Sequence, residues 1–153
     1  MPDHIHLVCP HCTTTNRVRS DQLASAPTCG HCKKALFTAH STPLASPADA
    51  ESFDKHINRN QIPVLVDFWA PWCGPCRAMA PAYEQAAAQL EPHVRLLKVD
   101  TEAMTQLGNR FSIRSIPTLA LFLGGREIAR QAGAMGAADL MRWVRTQLAQ
   151  PPG

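Results

Sequence analysis

Trp69-Ala70-Pro71-Trp72-Cys73-Gly74-Pro75-Cys76 follows the apolar, β-branched run Val64-Leu65-Val66-Asp67-Phe68, which reads as a buried strand. After it, Arg77 to Leu90 places Met79, Ala82, Tyr83, Ala86 and Leu90 on one face at helical spacing. Two cysteines therefore fall where a strand gives way to a helix. There the unpaired N–H groups of the first turn and the helix dipole favour the Cys73 thiolate over its thiol. Cys76, three residues on, is close enough to resolve a mixed disulfide. Gly74 and Pro75 set a tight connection, and proline has no N–H to lose in a first helical turn. The chemistry this implies is dithiol–disulfide exchange.

Working outward, the chain of 153 residues has room for one ordinary domain and a small appendage, and its hydrophobic content of 45% suffices for a core. A net charge of +3 is too mild to demand nucleic acid or an anionic membrane as partner. No apolar run approaches the length of a membrane span. Met1-Pro2-Asp3-His4-Ile5-His6 lacks the basic start and apolar centre of a signal peptide, so the cytoplasm is the expected compartment. All six cysteines lie in C-x-x-C pairs, a usage that suggests reduced thiols or metal ligation over a structural disulfide framework.

Cys9-Pro10-His11-Cys12 and Cys29-Gly30-His31-Cys32 are separated by 16 residues. Cys9, Cys12, Cys29 and Cys32 together match a closed, tetrahedral structural zinc site holding one ion. The intervening segment is too polar to fold on burial alone, so a metal would supply the missing stability. The expectation is a small zinc ribbon over residues 1–40, with short strands near Ile5 to Val8, Asn16 to Arg19 and Ala35 to Phe37. A rival reading makes Cys29-Gly30-His31-Cys32 a second redox centre, but no apolar strand precedes it and no amphipathic helix follows. His11 and His31 are expected to face solvent, since four cysteines fill the tetrahedron. Arg17, Arg19, Lys33 and Lys34 form only a thin patch without aromatic neighbours, so no nucleic-acid partner is expected.

The second domain is expected over residues 41–153, with a boundary near residue 40 in a connector marked by Pro43 and Pro47. Thr42 to Ala45 reads as a short edge strand. Ser46-Pro47 is expected to open a helix with Asp49 and Glu51 in its first turn and Phe53, His56 and Ile57 facing inward. Further along, Val94 to Val99 reads as a strand, Thr101 to Arg110 as a short helix and Leu119 to Leu123 as an apolar strand. Gly124-Gly125 marks a hairpin to Arg126 to Gln131, and Leu140, Trp143, Val144 and Leu148 form one face of a last helix. Asp67 lies inside an apolar strand, on the face of Leu65 and Trp69, and two readings stand: a buried proton carrier for Cys76, or a hydrogen-bonded structural carboxylate. Lys98 likewise reads either as a moderating charge beside Asp67 or as a snorkelling lysine. Pro81 is expected to kink the long helix.

Val66-Asp67-Phe68-Trp69-Ala70 followed by Trp72-Cys73-Gly74-Pro75-Cys76 resembles the active-site segment of the thioredoxin family. The resemblance covers residues 42 to 149 and implies a thioredoxin fold, a central mixed β-sheet flanked by helices, in the α/β class. It implies that Asp67, six residues before the first cysteine, assists Cys76, and it accounts for Pro81. In Ser115-Ile116-Pro117-Thr118 it implies a cis peptide before Pro117. Trp72, Gly74, Pro75, Ile116, Pro117 and Gly133 are then expected to form the substrate-docking surface, with Ile116 offering backbone groups to an extended peptide. The two amino-terminal C-x-x-C pairs are similar to those of the bacterial thioredoxin 2 group. The resemblance implies disulfide-bearing substrate proteins and a flavin- and NADPH-dependent thioredoxin reductase as partners. No dinucleotide-binding glycine pattern occurs in the chain, so no flavin or nucleotide is expected on it. Rival readings are an oxidase or isomerase, and a zinc-dependent redox-switch binding protein.

Overall fold

The computed structural model describes residues 3–37 and 44–150. In chain order these form β1 (His4–Val8), β2 (Thr15–Arg19), a 3-10 helix (Ser20–Ser25), α1 (Ala50–Arg59), β3 (Val64–Trp69), α2 (Gly74–Leu90), β4 (Arg95–Asp100), α3 (Thr105–Arg110), β5 (Thr118–Leu123), β6 (Arg126–Ala132) and α4 (Ala137–Ala149).

The main sheet has the order β4-β3-β5-β6. β3 pairs in parallel with β4 and antiparallel with β5, and β6 runs antiparallel along the edge of β5. Alternation along β3 divides the core between the two faces of this mixed sheet. Leu65 joins Met79, Tyr83 and Leu90 of α2 and Leu140 and Val144 of α4. Val64, Val66 and Phe68 join Phe53 and Ile57 of α1 and Leu107 of α3. On that second face Phe53, Phe68, Phe111 and Phe122 contact one another, with centroids from 5.4 to 6.0 Å apart. Gly124 and Gly125 turn the β5–β6 hairpin with φ of 61° and 82°, the left-handed pair that a tight two-residue turn needs.

The ribbon is a β1–β2 hairpin in register from His4 opposite Arg19 to Val8 opposite Thr15. Its core holds Ile5, Leu7, Leu23, Leu36 and the cysteines, and it also takes in Ile62 from the segment between α1 and β3.

Several local expectations need correction. α1 begins at Ala50, three residues after Pro47, because the Asp49 side chain accepts the Ser52 N–H at 2.8 Å and caps the helix there. Phe53, His56 and Ile57 are buried as its spacing predicts. Instead of a strand over Ala35 to Phe37, there is a single bridge between Thr28 and Ala35. Of the edge strand expected over Thr42 to Ala45, Ala45 bridges Leu97 in parallel, while residues 42 and 43 and the boundary near residue 40 lie outside the described residues. α3 begins only at Thr105, because the Asp100 carboxylate accepts the N–H groups of Glu102 and Ala103 and holds the preceding residues in a turn. α2, by contrast, continues through Pro81 to Leu90, as its periodicity predicts.

Candidate active site and metal centre

Cys73 is the N-cap of α2, and its sulfur accepts the Cys76 N–H at 3.2 Å. The two cysteines are joined by a disulfide with their Cα atoms 5.2 Å apart. Cys73 is 5% exposed and Cys76 2%, whereas the indole of Trp72 between strand and helix is 67% exposed. Ile116 packs on the pair, its carbonyl oxygen 3.7 Å from the Cys73 sulfur. The Ile116–Pro117 peptide is cis, as the resemblance implies. The Thr118 hydroxyl donates to the Ser115 carbonyl at 2.7 Å and the Gly133 N–H to the Pro117 carbonyl at 2.9 Å, which tie the prolyl loop to β5 and to the end of β6. Gly133 has φ of 99°, a conformation that glycine adopts without strain. The structure thus brings Trp72, Gly74, Pro75, Ile116, Pro117 and Gly133 to the rim and floor around one disulfide.

Asp67 points to the α2 side of the sheet and is 1% exposed. Burial pushes its carboxyl up to about 7, against the moderating pull of the Lys98 charge. Its Oδ1 has no hydrogen-bond partner among the described residues. Lys98 stands opposite Asp67 in the strand register, but its ammonium lies 4.4 Å from the centroid of the Trp69 ring. It acts on Asp67 through space and not as a bonded partner.

At the other end of the molecule the sulfurs of Cys9, Cys12, Cys29 and Cys32 all lie within 4.8 Å of one another. Cys9 and Cys32 are 3.6 Å apart, as are Cys12 and Cys29. A tetrahedron of sulfurs about 2.3 Å from a zinc ion has edges of roughly 3.8 Å, so the four thiols fit such an ion. Backbone N–H groups turn toward the sulfurs: His11 to Cys9 at 3.3 Å, and His31 and Cys32 to Cys29 at 3.4 and 3.5 Å. The Cys32 N–H foremost, then Asn16 and the His31 N–H, hold the Cys29 thiol down to about 5 in favour of the thiolate a metal requires. His11 and His31 face solvent.

Asn16 links both knuckles, donating to the Thr14 carbonyl and to Cys29 while accepting the Gly30 N–H. Thr14 accepts a bond from the Cys12 thiol. Apart from their place in the polar segment after the first cysteine pair, Thr14 just before β2 and Asn16 within it, nothing in the sequence marks these two as supports of the sulfurs.

A disulfide that caps the first turn of a helix, beside a cis-prolyl loop at the end of a mixed sheet, defines a protein-disulfide oxidoreductase. Comparison with known families places the two parts separately: residues 45–146 match the family described as Thioredoxin, and residues 8–34 match Thioredoxin 2, N-terminal, a zinc ribbon. The chain belongs to the thioredoxin family, with that ribbon ahead of the fold. It is similar over nearly its whole length to Thioredoxin C-3 of Corynebacterium nephridii, at 42% identity over 147 residues, 96% of this chain and 98% of the relative. Thioredoxin 1 of a Nostoc species is 38% identical over 104 residues, covering 68% of this chain and 97% of its own. The solved structure of Malassezia sympodialis thioredoxin (Mala s 13) superposes with a TM-score of 0.64 at 26% identity, over 71% of this chain and 94% of that one.

Proposed function

We propose that the protein is a thioredoxin-type reductase of protein disulfides in which Cys73 is the nucleophile and Cys76 the resolving thiol. The Cys73 thiolate attacks a substrate disulfide, forming a Cys73–substrate disulfide and expelling one substrate thiolate, which takes up a proton. Cys76, giving its proton to Asp67, then attacks the Cys73 sulfur and expels the second substrate thiolate. Two electrons have passed to the substrate and the Cys73–Cys76 disulfide remains. Trp72, Gly74, Pro75, Ile116, Pro117 and Gly133 form the docking surface, where the backbone of Ile116 pairs with an extended substrate segment. Lys98 keeps the Asp67 carboxyl from rising further.

The observation that carries this reading is the position of the Cys73 sulfur: at the N-terminus of α2, receiving the Cys76 N–H and facing the Ile116 carbonyl. Helix-terminal N–H groups stabilise a thiolate there and make Cys73 the better leaving and attacking sulfur of the pair. A thioredoxin reductase returns the disulfide to the dithiol with electrons from NADPH, and its flavin stays on that partner. One structural zinc ion is held by Cys9, Cys12, Cys29 and Cys32, and the protein works in the cytoplasm on disulfide-bearing proteins. The test is NADPH consumption with thioredoxin reductase and a disulfide-bonded model protein, run beside Cys73→Ser. Steady consumption that disappears in the variant supports the reading. A wild-type protein that is reduced by dithiothreitol yet drives no consumption would turn it toward an isomerase or oxidase.

A further inference from the structure

Among the described residues, besides Tyr83 and the cysteines, six polar or charged side chains are buried: His56, Asn60, Asp67, Glu91, Arg95 and Thr118. Asp67 and Thr118 belong to the site above. The other four converge on the seam between the ribbon and the sheet, where no redox chemistry needs them. Arg95, 2% exposed, donates through Nη1 to Glu91 Oε2 at 3.2 Å. Its Nη2 reaches out of the domain to the ribbon carbonyls of Leu36 at 2.7 Å and Val8 at 3.4 Å, and the Phe37 ring lies 4.4 Å from its guanidinium carbon. Asn60 accepts the Val8 N–H at 2.8 Å and anchors its own amide on the His56 carbonyl at 2.9 Å. Both backbone groups of Val8 are thus taken up by side chains of the thioredoxin domain. Gln61 and His6 exchange two further bonds, His6 N–H to Gln61 Oε1 at 2.7 Å and Gln61 N–H to His6 carbonyl at 2.9 Å.

A guanidinium with so little access to water is costly unless most of its donors are matched, and Arg95 already leaves its Nε without a partner among the described residues. Here part of the match comes from the ribbon. The two carbonyls that supply it sit beside the metal centre: Val8 immediately precedes Cys9, and Leu36 follows Cys32 by four residues. The positions of those carbonyls are set by the knuckles that wrap the four sulfurs, and a ribbon of this size orders its knuckles only with metal bound. Metal binding, ribbon order and satisfaction of Arg95 are therefore linked, and linkage runs both ways.

We infer that Arg95, fixed by Glu91, is the positioning residue that docks the metal-bound ribbon on the thioredoxin domain, so that a closed seam retards metal loss and metal loss opens the seam. Arg95 opens β4 and pairs in register with Val64 at the start of β3, whereas the cysteines follow Trp69 at the far end. Five strand residues separate the two places, about 16 Å. The device acts on the metal centre and leaves disulfide turnover alone.

The test uses the full zinc-loaded chain. Glu91→Gln with Arg95→Met removes both charges together and leaves neither buried alone. Transfer of zinc to a chromogenic chelator is expected to quicken at least tenfold, and hydrogen exchange at the Val8 and Gln61 amides to rise even in saturating zinc. Arg95→Lys, which keeps the charge but cannot span two carbonyls, is expected to fall between, with NADPH-coupled turnover unchanged throughout. A folded double variant that yields its zinc at the wild-type rate overturns the inference. A second measurement needs no variant: wild-type protein stripped of zinc under reducing conditions should lose protection at Gln61 while Val66 and Phe68 keep theirs. Continued protection of Gln61 in the stripped chain overturns it equally.

Discussion

Asp67 and Lys98 face each other across the β3–β4 pairing, yet the Lys98 ammonium rests over the Trp69 ring, and no ion pair joins the two among the described residues. A bonded lysine would have held the carboxylate ionised at every physiological pH. A lysine displaced onto an aromatic face exerts a weaker pull, and burial prevails, leaving Asp67 with a carboxyl that changes state at about 7. That is the range in which a group both accepts and releases a proton readily.

This shift carries a stability signature. The unfolded carboxyl ionises near its ordinary value of 3.8, the folded one at about 7. Between those values the folded chain holds a proton that the unfolded chain has lost, so stability falls as pH rises through the window and levels off above it. Three pH units correspond to about 4 kcal/mol as an upper figure. Asp67→Asn should therefore flatten the slope and stabilise the oxidised protein at pH 8 by a few kcal/mol, up to about 4. The same change should slow resolution of a mixed disulfide by up to about 100-fold, since an amide accepts no proton from Cys76. Denaturant titrations from pH 4 to 8 and single-turnover kinetics read the two effects. Wild-type and variant stability curves that run parallel would show that the Asp67 carboxyl is not raised in the folded chain.

The two sulfurs should separate by substitution. Cys73→Ser is expected to abolish turnover, and Cys76→Ser to accumulate mixed disulfides with substrate proteins, because Cys76 is the more deeply buried sulfur and cannot be replaced by a second substrate thiol at comparable rate. Mass spectrometry of the trapped species checks the assignment. Trapping by Cys73→Ser instead would exchange the two roles.

Cys9→Ser leaves three thiols at the ribbon centre and should release its metal. The centre lies beyond the start of β3 and the disulfide beyond its end, so most of the NADPH-coupled activity should remain. Metal content by atomic emission and turnover on the same sample decide the matter. Loss of both together would make the ribbon part of the catalytic unit.

The catalytic stretch was legible because three signals coincide on it. The apolar strand run ends at Trp69, helical spacing begins after Cys76, and period-two alternation puts Asp67 on the side of Leu65. The cysteine spacing likewise identified the ribbon centre, since tetrahedral thiolate sites accept few other arrangements. The sequence leaves the start of α1 ambiguous because Pro47 and Asp49 both carry helix-start chemistry, and only the bond from Ser52 to Asp49 chooses between them. The seam was not legible at all. Glu91 and Arg95 look like charges at the end of one helix and the start of the next strand, and their burial depends on a ribbon nearly sixty residues away in sequence. Lys98 illustrates the same limit: register predicts its neighbour, but not which way a long side chain turns.

Trp72 is two-thirds exposed, so its ring contributes little to folding while standing at the mouth of the site. Trp72→Ala should leave stability within about 0.5 kcal/mol. The KM for a disulfide-bonded protein should rise several-fold, with the rate on a small aromatic disulfide unchanged. An equal loss on both substrates would place Trp72 in the chemistry of the cysteines and not in docking.

Tyr83, two helical turns beyond Cys76, is wholly buried, and its hydroxyl lies 2.7 Å from the Leu97 carbonyl and 3.0 Å from that of Leu65. It joins α2 to two adjacent strands at once. Burial first, and then the neighbouring Asp67 carboxylate, push its pKa well above the ordinary value, so the hydroxyl stays a donor throughout the working range. Tyr83→Phe removes that donor from a dry site and should cost about 1 to 2 kcal/mol, a fall in Tm of roughly 2 to 8 °C for a chain of this size. Turnover below the unfolding range should be preserved, because the ring still fills the space between helix and sheet. A variant with wild-type Tm but a displaced pH profile would show that the hydroxyl acts on Asp67 and not on the fold.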